Sequence, residues 1–504
     1  MILKNKLPGH LMAALAGVLF TFAFSPYDYW PVLLLASGCI FFLTQKEALR
    51  PALVRGSMFG VGLFGSGTSW VYVSIHEFGS APVPLAIALT LLFTLFLTSI
   101  FITPLFLAYV KLRDRYKVAT TWQRAFLFAG VWVLFEWFRT WFLTGFPWLL
   151  QGYALLDTPF QGWAPVTGVY GLSLLLITTA CLLTSVLIDK CRLSAGQVIA
   201  LVSIAAAWLI SLPLNQITWT TQTDKLSFSA IQGNIPQSLK WKPGYLEDTV
   251  RTYFKLTEKE WGRDLVIWPE NALPVFYSSV RPVIQQIDRQ ANASGSAFIT
   301  GIPMDDNSTG EPRYYNAIIA IGTGDGRYYK QKLVPFGEYV PLESILRGLI
   351  DFFDLPMSAF SQGDHNQELL EVPEATIAPY ICYEVVYPDF AAEQAKDSGL
   401  LITISNDTWF GRSIGPLQHY QIARMRSLET GRYMIRATND GKTALINDRG
   451  QTVKSIERFK AGVLRGDVPV MEGITPFMRL GSFPVLLLSL LMIVLVACRN
   501  RRKP

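Results

Sequence analysis

The sequence predicts an α-helical membrane bundle of about eight transmembrane helices joined to one α/β domain. Two observations carry this fold class. Hydrophobic residues make up 51% of the 504 residues and charged residues only 16%, which is too apolar for a soluble globular protein. The apolar residues are also unevenly distributed: they form long runs everywhere except between residues 215 and 475, where short apolar runs alternate with amphipathic stretches.

Each long apolar run suits a helix that crosses about 30 Å of hydrocarbon, although the second run is short. The runs lie near 9–26, 31–45, 53–75, 82–110, 124–142, 169–188, 198–214 and 483–498. Lys4 and Lys6 precede the first run, but no small-residue cleavage pattern follows, so we interpret it as a retained span. The chain therefore divides into seven spans over 1–214, an exported domain over 215–475, and a last span with a basic tail over 476–504.

The distribution of basic residues predicts the orientation of the spans. Basic residues follow spans two, four and six and end the chain, whereas the alternate loops, such as 25–30 and 76–82, carry almost none. The positive-inside rule then places both termini in the cytoplasm and the large polar domain on the other side. Since the net charge of +6 comes largely from these short loops, we expect no nucleic-acid partner.

The exported region has the pattern of an α/β layered domain, in which helices cover both sheet faces. Its length of about 250 residues suits one domain. The strand-like runs are 226–234, 264–271, 297–303, 316–321, 376–384, 400–407, 443–448 and 462–468. The helix-like segments lie near 244–261, 278–293, 387–398 and 416–436.

One cysteine differs from the other four. Cys39, Cys181 and Cys498 lie in predicted spans and Cys191 in a basic loop, so Cys382 has no partner within the exported domain. An exported thiol usually forms a disulfide. Cys382 is therefore either a reactive thiol or a buried inert cysteine that packs as a small hydrophobic residue.

Reactive side chains follow three of the apolar runs. Glu270 ends "LVIWPE", Lys330 follows "RYY", and Cys382 ends "APYIC". In open α/β sheets functional residues collect beyond the strand ends. A carboxylate, an ammonium and a thiol supply the base, the electrophilic stabiliser and the nucleophile that acyl transfer through a thioester requires.

Simpler roles stay open for each of these residues. Glu270 could cap a helix or form a surface pair, and Lys330 could be a solvated residue of a basic cluster. Glu338 in "PFGEYVP" is either a loop carboxylate or the group that holds Lys330. By residue type, Trp241 and Trp409 are core residues.

Other chemistries find less support. A papain-like site needs a histidine beside the cysteine, and the exported domain contains only His365 and His419, neither of which we favour as the base. No pair of cysteine or histidine residues has the spacing of zinc ligands, so we expect no metal. The sequence also has no glycine-rich phosphate loop.

Two further features remain ambiguous. The apolar stretch 345–360 is either a packed helix and loop or an arm that touches lipid. Glu136 and Arg139 lie on one helical face near the outer end of span five, where ionised groups are costly. They either pair with each other or contact a polar headgroup.

Three motifs resemble a known superfamily. "VIWPEN", "YKQKLVPFGEYVP" and "ICYE", in that order, are similar to the Glu-Lys-Cys signature of the carbon-nitrogen hydrolases, or nitrilases. The membrane half narrows the resemblance, because "FAFSPYDYWP", "GLFGSGTSWVYVSI" and "LTGFPWL", together with "QGNIPQSLKW" and "ITISNDTWFG", are similar to the apolipoprotein N-acyltransferases of the bacterial inner membrane. This resemblance covers essentially the whole chain.

The resemblance implies an α-β-β-α sandwich for the exported domain, which would then be periplasmic. It also implies a ping-pong enzyme without a cofactor. The sn-1 acyl chain of a phospholipid, typically phosphatidylethanolamine, passes to the cysteine and then to the α-amine of S-diacylglyceryl-cysteine on an apolipoprotein. That transfer is the last step of lipoprotein maturation. We expect a monomer.

The resemblance also assigns roles, residue by residue. It makes Cys382 the nucleophile, Glu270 the base and Lys330 the oxyanion stabiliser. A thiolate beside Lys330 is then expected. The supporting residues are Glu338, Tyr383 and Glu384, with Trp241 and Trp409 near the substrate. The nearest alternative is a membrane-tethered amidase acting on a small amide, and a non-enzymatic alternative is a transporter or receptor that only binds its ligand.

Overall fold

The computed structural model describes residues 6–240, 242–307, 312–341 and 359–501. The chain forms two compact units. The first contains the chain up to Tyr72, the segment Pro82–Ile217, and the chain from Leu480 onward. The second contains Thr218–Arg479 and also the short segment Val73–Ala81, which the sequence analysis assigned to the end of span three and the loop after it.

The first unit is helical. A π-helical turn at Thr98–Ile102 joins the helices Val83–Leu97 and Thr103–Arg115 into one continuous helix. The helices are Lys6–Thr21, Val32–Thr44, Leu49–Gly67, Val83–Leu97, Thr103–Arg115, Thr121–Trp141, Ala164–Ile188, Ala195–Leu214 and Phe483–Arg501. The run predicted to continue to residue 75 therefore ends as a helix at Gly67.

Five helices of the described chain are long and apolar enough to cross a membrane, which supports a membrane protein. They are Val83–Arg115, Thr121–Thr144, Gln161–Ile188, Ala195–Leu214 and Phe483–Asn500. Leu7–Thr21 and Val32–Thr44 are apolar but shorter. The number of eight spans stays a prediction.

Glu136 and Arg139 are both buried among these helices. The Glu136 carboxylate accepts hydrogen bonds from Trp132 Nε1 at 3.0 Å and from the Gln151 backbone N at 3.1 Å. The Arg139 guanidinium lies over the Phe64 ring, 5.5 Å from its centroid. Contact with a headgroup remains a prediction.

The second unit contains two six-stranded sheets, in the orders β12-β1-β2-β3-β4-β5 and β11-β10-β9-β8-β7-β6. Each sheet has three neighbouring parallel strands, β1 to β3 in one and β7 to β9 in the other. The strands are β1 (Thr221–Gln232), β2 (Leu265–Ile267), β3 (Ala297–Asp306), β4 (Arg313–Gly322), β5 (Arg327–Tyr329), β6 (Leu370–Val372), β7 (Ala375–Ile381), β8 (Leu400–Ser405), β9 (Met434–Thr438), β10 (Ala444–Ile446), β11 (Thr452–Ser455) and β12 (Gly462–Glu472).

The two sheets pack face to face and helices cover their outer faces. Buried apolar side chains from both sheets, such as Ile299 and Ile402, form one cluster between the sheets. A second cluster, which includes Trp268 and Ile284, lies under the helices of the first sheet. The helices are Gln237–Lys240, Leu246–Thr257, Tyr277–Ser294, Pro388–Ala395, Gly415–Thr430 and Pro476–Leu480. The expected α-β-β-α sandwich is confirmed.

One predicted helix is wrong at its carboxyl end. The segment predicted to stay helical to residue 436 ends at Thr430, and Met434–Thr438 is instead strand β9. Gly431 has φ +60°, and its N–H donates to the Ser427 carbonyl, so it ends the helix as a left-handed cap. The short strands β5, β6 and β11, of three or four residues each, were not predicted either.

Candidate active site

Four strands end at one edge of the sandwich and bring the candidate residues there. Cys382 follows β7 directly, and Lys330 follows β5. Glu270 comes three residues after β2, where the Trp268 N–H still bonds to the Ile299 carbonyl. Asn406 follows β8.

Glu270 is buried and fixed from both sides. Its Oε1 accepts a hydrogen bond from Asn316 Nδ2 at 2.8 Å, and its Oε2 accepts one from the Asn406 backbone N at 2.8 Å. The side chain of Glu270 is 7% exposed, so the surface-pair alternative is wrong. Gly301 lies directly behind it, because a Cβ at Gly301 would be 2.7 Å from Glu270 Cα.

Lys330 is also buried, with 1% of its side chain exposed, so it is not a solvated lysine. Its Nζ donates to Glu338 Oε1 at 2.8 Å and lies 3.7 Å from Glu270 Oε1. Burial lowers the pKa of Lys330, but the charges of Glu338, Glu270 and Cys382 outweigh it and raise the pKa overall. Lys330 is therefore an ammonium group at neutral pH.

Glu338 makes the contact that the sequence analysis left open. Its Oε1 accepts hydrogen bonds from both Lys330 Nζ and Asn316 Nδ2 at 2.8 Å, and its Oε2 accepts one from the Val334 backbone N at 2.8 Å. Asn316 thus bridges the two carboxylates of Glu270 and Glu338. Lys330 is held between two negative charges.

Cys382 sits on a strained turn. Its φ is +51°, a left-handed conformation that costs a non-glycine residue on the order of 1–3 kcal/mol. It is the first residue of the 3₁₀ turn Cys382–Val386, and it is only partly buried. Such outliers persist where the surrounding structure holds them, and they cluster at functional sites.

The pKa of the Cys382 thiol is raised. Burial is the largest cause and the charge of Glu270 adds to it, while Lys330 and a hydrogen bond with Ser405 lower the pKa without outweighing them. This direction runs against the expectation of a resting thiolate, because burial and the charge of Glu270 outweigh the charge of Lys330.

Glu384 ties the cysteine turn to the segment after Lys330. Its carboxylate accepts hydrogen bonds from the Ile381 backbone N at 2.8 Å, the Gln331 backbone N at 2.6 Å and Tyr328 Oη at 2.9 Å. Glu384 is fully buried. Its contacts show a carboxylate that joins two strand ends.

For the aromatic candidates Tyr383, Trp409 and Trp241, the structure shows fewer contacts that bear on their predicted roles. The partly buried Tyr383 ring lies edge-on to Tyr387, 5.5 Å between centroids. Trp409 is half-buried and its ring lies 6.0 Å from that of Phe78. Trp241 and residues 345–358 of the apolar stretch 345–360 lie outside the described residues.

A second buried group lies behind the cysteine. The ligand atoms of Cys382, Asp407 and His419 all lie within 4.8 Å of one another. Sequence reasoning weighed His419 only as a base and missed Asp407, although Asp407 follows the apolar run at β8 and the strand-end rule could have found it. Arg436 was hidden in the segment wrongly predicted as helix.

These three side chains resemble a set of metal ligands, but the guanidinium of Arg436 already lies against two of them. Arg436 Nη2 donates to Asp407 Oδ2 at 2.8 Å and lies 3.1 Å from His419 Nδ1. His419 Nε2 faces the Cys382 carbonyl oxygen at 3.1 Å. Because both ring nitrogens and the carboxylate have partners, we assign no metal to this group.

Comparisons with known proteins cover both units. The apolipoprotein N-acyltransferase N-terminal domain model matches residues 16–182, and the carbon-nitrogen hydrolase model matches residues 229–473. The apolipoprotein N-acyltransferase of Pseudomonas syringae pv. tomato is 47% identical over 96% of this chain and 96% of its own length. The chain belongs to the apolipoprotein N-acyltransferase family.

Other apolipoprotein N-acyltransferases match over a similar extent. The relative from Azotobacter vinelandii is 46% identical over 98% of this chain and 96% of its own. The relative from Pseudomonas paraeruginosa is 44% identical over 99% of this chain and 97% of its own. The family resemblance of the motifs is therefore confirmed for the helical half and the catalytic half together.

Proposed function

We propose that this enzyme moves the sn-1 acyl chain of a phospholipid, phosphatidylethanolamine by preference, through a thioester on Cys382. The acceptor is the α-amine of S-diacylglyceryl-cysteine at the N-terminus of an apolipoprotein. One observation carries the mechanism: a thiol on a left-handed turn shares a buried cluster of charges with Glu270 and Lys330. The family's name supplies the acceptor class and the acyl transfer.

In the first half-reaction the Cys382 sulfur attacks the ester carbonyl while Glu270 takes the thiol proton. The new S–C bond pushes electrons onto the carbonyl oxygen, which the Lys330 ammonium and the Tyr383 backbone N–H stabilise. Collapse breaks the C–O bond, and the proton passes from Glu270 to the leaving alkoxide. A lysophospholipid departs and the thioester remains.

In the second half-reaction the neutral α-amine attacks the thioester and Glu270 takes a proton from it. The tetrahedral oxygen occupies the same place between Lys330 and the Tyr383 N–H. Collapse breaks the C–S bond, and the sulfur recovers the proton as the amide leaves. Two substrates that visit one nucleophile in turn give ping-pong kinetics.

Support for these roles comes from how firmly the groups are held. Glu338 fixes the Lys330 ammonium and Asn316 fixes the Glu270 carboxylate, each at 2.8 Å. Preorganised charges in a buried site stabilise a developing oxyanion without reorganisation. We propose that Trp409 and Trp241 lie near the acyl or lipopeptide substrate, and that Glu384 is structural.

The membrane arrangement belongs to the same proposal. We infer eight spans in the inner membrane, with residues 1–214 and 476–504 in the spans and tails and 215–475 as a periplasmic domain. The five long apolar helices and the basic loops support it. Both substrates are lipid-anchored, so an enzyme in the same membrane meets them at high effective concentration. We propose that it acts as a monomer.

Removal of the thiol tests the function. Cys382→Ala should reduce N-acylation of a diacylated lipopeptide at least about 10³-fold, because no thioester can form. Cys191→Ala, at an exposed cysteine in a polar loop, is the matched control and should retain activity. Full activity of the Cys382→Ala protein would show that the proposal is wrong. It would also favour the alternative of a transporter or receptor, which needs no thiol.

The amidase alternative makes a different prediction. A membrane-tethered amidase would release ammonia from short-chain amides and would leave a phospholipid intact. We expect the enzyme to release ammonia from such amides much more slowly than it releases lysophospholipid. Ammonia release without lysophospholipid release would favour the amidase.

A further inference from the structure

The carbonyl group of the nucleophile has its own partner. His419 Nε2 lies 3.1 Å from the Cys382 carbonyl oxygen. A carbonyl oxygen only accepts hydrogen bonds, so Nε2 carries the hydrogen and donates it. This holds for the neutral ring and for the imidazolium alike, and it leaves Nε2 without a lone pair to take a proton from the thiol.

The other side of the ring is fixed by two charged groups. His419 Nδ1 lies 3.1 Å from Asp407 Oδ1 and 3.1 Å from Arg436 Nη2, and Arg436 also donates to Asp407 Oδ2 at 2.8 Å. The three side chains are at most 4% exposed. Ser405 Oγ donates to Asp407 Oδ1 at 2.9 Å. With the hydrogen of a neutral ring on Nε2, Nδ1 accepts from Arg436 Nη2, so the imidazole cannot rotate without breaking this hydrogen bond and the one to the Cys382 carbonyl.

These contacts also determine how the group titrates. Burial lowers the pKa of His419, and the Arg436 charge lowers it further, against an opposing effect of Asp407. Burial raises the pKa of Asp407, but Arg436 and His419 outweigh it, so the pKa lies well below its usual value. Asp407 stays ionised at every pH at which the enzyme would be assayed.

The peptide group links His419 to the reacting atoms. The Cys382 carbonyl and the Tyr383 N–H are the two ends of one planar trans peptide, and they point in opposite directions. A hydrogen bond that fixes the carbonyl therefore fixes the direction of the N–H. The hydrogen bond that the carbonyl oxygen accepts also polarises the peptide group. A hydrogen bond donated by its N–H is thereby strengthened by roughly 10–30%.

We propose that His419 is a positioning residue that orients and polarises the peptide between Cys382 and Tyr383, so that its N–H points at the tetrahedral oxygen. The inference rests on the proposed function, because the Tyr383 N–H is an oxyanion donor only if an acyl group is attacked at Cys382. It also explains how the left-handed turn at Cys382 keeps its shape. His419 acts through this peptide and not as the base.

The test compares two substitutions at His419. His419→Leu keeps the bulk and removes the donor, whereas His419→Gln retains an amide N–H that reaches the same carbonyl. The first readout is single-turnover release of lysophospholipid from phosphatidylethanolamine by the full-length enzyme. We expect His419→Leu to slow this step about 10²-fold with KM little changed, and His419→Gln to recover at least about tenfold, as for an oxyanion donor.

A fatty aldehyde supplies the second readout. The Cys382 thiol adds to hexadecanal without a leaving group, and the resulting hemithioacetal places its oxygen where the tetrahedral oxygen would lie. The inhibition constant of hexadecanal should rise in His419→Leu by about the same factor as the acylation rate falls. The binding of a transition-state analogue changes in parallel with the stabilisation of the transition state. His365→Leu, at an exposed histidine of the same domain, should change neither.

Three outcomes would overturn the inference. Equal inactivity of His419→Gln and His419→Leu, with loss of the acidic limb of the pH–rate profile, would make His419 the base. A lower melting temperature with an unchanged rate and inhibition constant would make its role structural only. If His419→Leu does not fold, His419→Asn, whose amide is too short to reach the carbonyl, must be slower than His419→Gln or the inference is wrong. The Cys382→Ala protein separates these failures from a failure of the proposed function.

Discussion

At the scale of single residues, burial and neighbouring charges shift the pKa values of both Cys382 and Lys330 upward. The Cys382 thiol is stabilised over the thiolate by burial and by Glu270, whereas Lys330 is kept charged by Glu338. A thiol that stays protonated reacts slowly with electrophiles, because the thiolate is the nucleophile. In the proposed mechanism Glu270 therefore acts in both half-reactions, first on the thiol and then on the amine.

The raised pKa of Cys382 predicts its reactivity toward a small alkylating agent. Because the folded pKa lies above that of an ordinary thiol of about 8.5, the thiolate fraction at neutral pH is small. The rate of iodoacetamide labelling at Cys382, followed by peptide mass spectrometry, should still be rising above pH 9. A plateau below pH 8 would show that the resting thiol is already ionised.

Glu338→Gln tests the support of the lysine. The substitution keeps the shape and removes the charge that accepts from Lys330 Nζ at 2.8 Å. Loss of a charged hydrogen bond of about 1.5–3 kcal/mol corresponds to a fall in kcat of roughly 10- to 150-fold. The measurement is steady-state N-acylation of a lipopeptide, with Glu393→Gln at an exposed glutamate as the control. An unchanged kcat would mean that Lys330 does not depend on Glu338.

The sequence was sufficient to select Cys382, Glu270, Lys330 and Glu338 as candidates, because they lie in three recognisable motifs. It was not sufficient for the second group of buried residues. Arg436 is a basic residue inside a short strand, and nothing local distinguishes it from a surface residue of a helix. Its partner Asp407 is 29 positions away, and only the parallel pairing of β8 with β9 brings the two together.

At the scale of elements, short strands position the candidate catalytic groups. The close approach of the backbone at Gly301 to that at Glu270 holds one of these groups in place. Strand β2 has three residues, yet Glu270 beyond it is held against β3 at Gly301. The sequence predicted eight of the twelve described strands, among them the three-residue strands β2 and β10, but it missed β5, β6, β9 and β11, because three to five residues carry little periodic signal. It also could not show that Gly431 would end the helix before β9.

Gly301→Ala tests the approach of the two backbones. An added Cβ would lie 2.7 Å from Glu270 Cα and 2.8 Å from the Asn271 backbone N, and backbone atoms move only with their strand. We expect a fall in kcat of at least about tenfold, because a shift of 1 Å in a catalytic group has effects of that order or larger. Gly462→Ala, whose nearest neighbour would be 3.7 Å away, is the matched control. If both variants have wild-type kcat, Glu270 tolerates displacement.

At the scale of the whole molecule, a helical unit and a catalytic unit belong to one enzyme family along nearly the entire chain. The division is not simply sequential, since the segment Val73–Ala81 belongs with the catalytic unit although helices flank it. Hydropathy alone assigned that segment to a span and its loop. The ring contact between Phe78 and Trp409 is a packing relation that no local pattern reveals.

The predicted orientation of the spans is testable on the intact protein. A green fluorescent protein fused after residue 504 should fluoresce, because the positive-inside rule places the carboxyl terminus in the cytoplasm. An alkaline phosphatase fusion at the same site should be inactive. The opposite pattern would require an odd number of spans or the reverse topology.

The acyl-enzyme is the central claim, and its mass is the most direct measurement. The full-length protein is incubated with phosphatidylethanolamine that carries a deuterated chain at sn-1 only, and the peptide containing Cys382 is analysed. We predict a mass increase equal to the deuterated acyl group, removable by hydroxylamine and lost when a diacylated lipopeptide is added. An unmodified Cys382 in protein that nevertheless acylates the lipopeptide, or a label on another residue, would contradict the account.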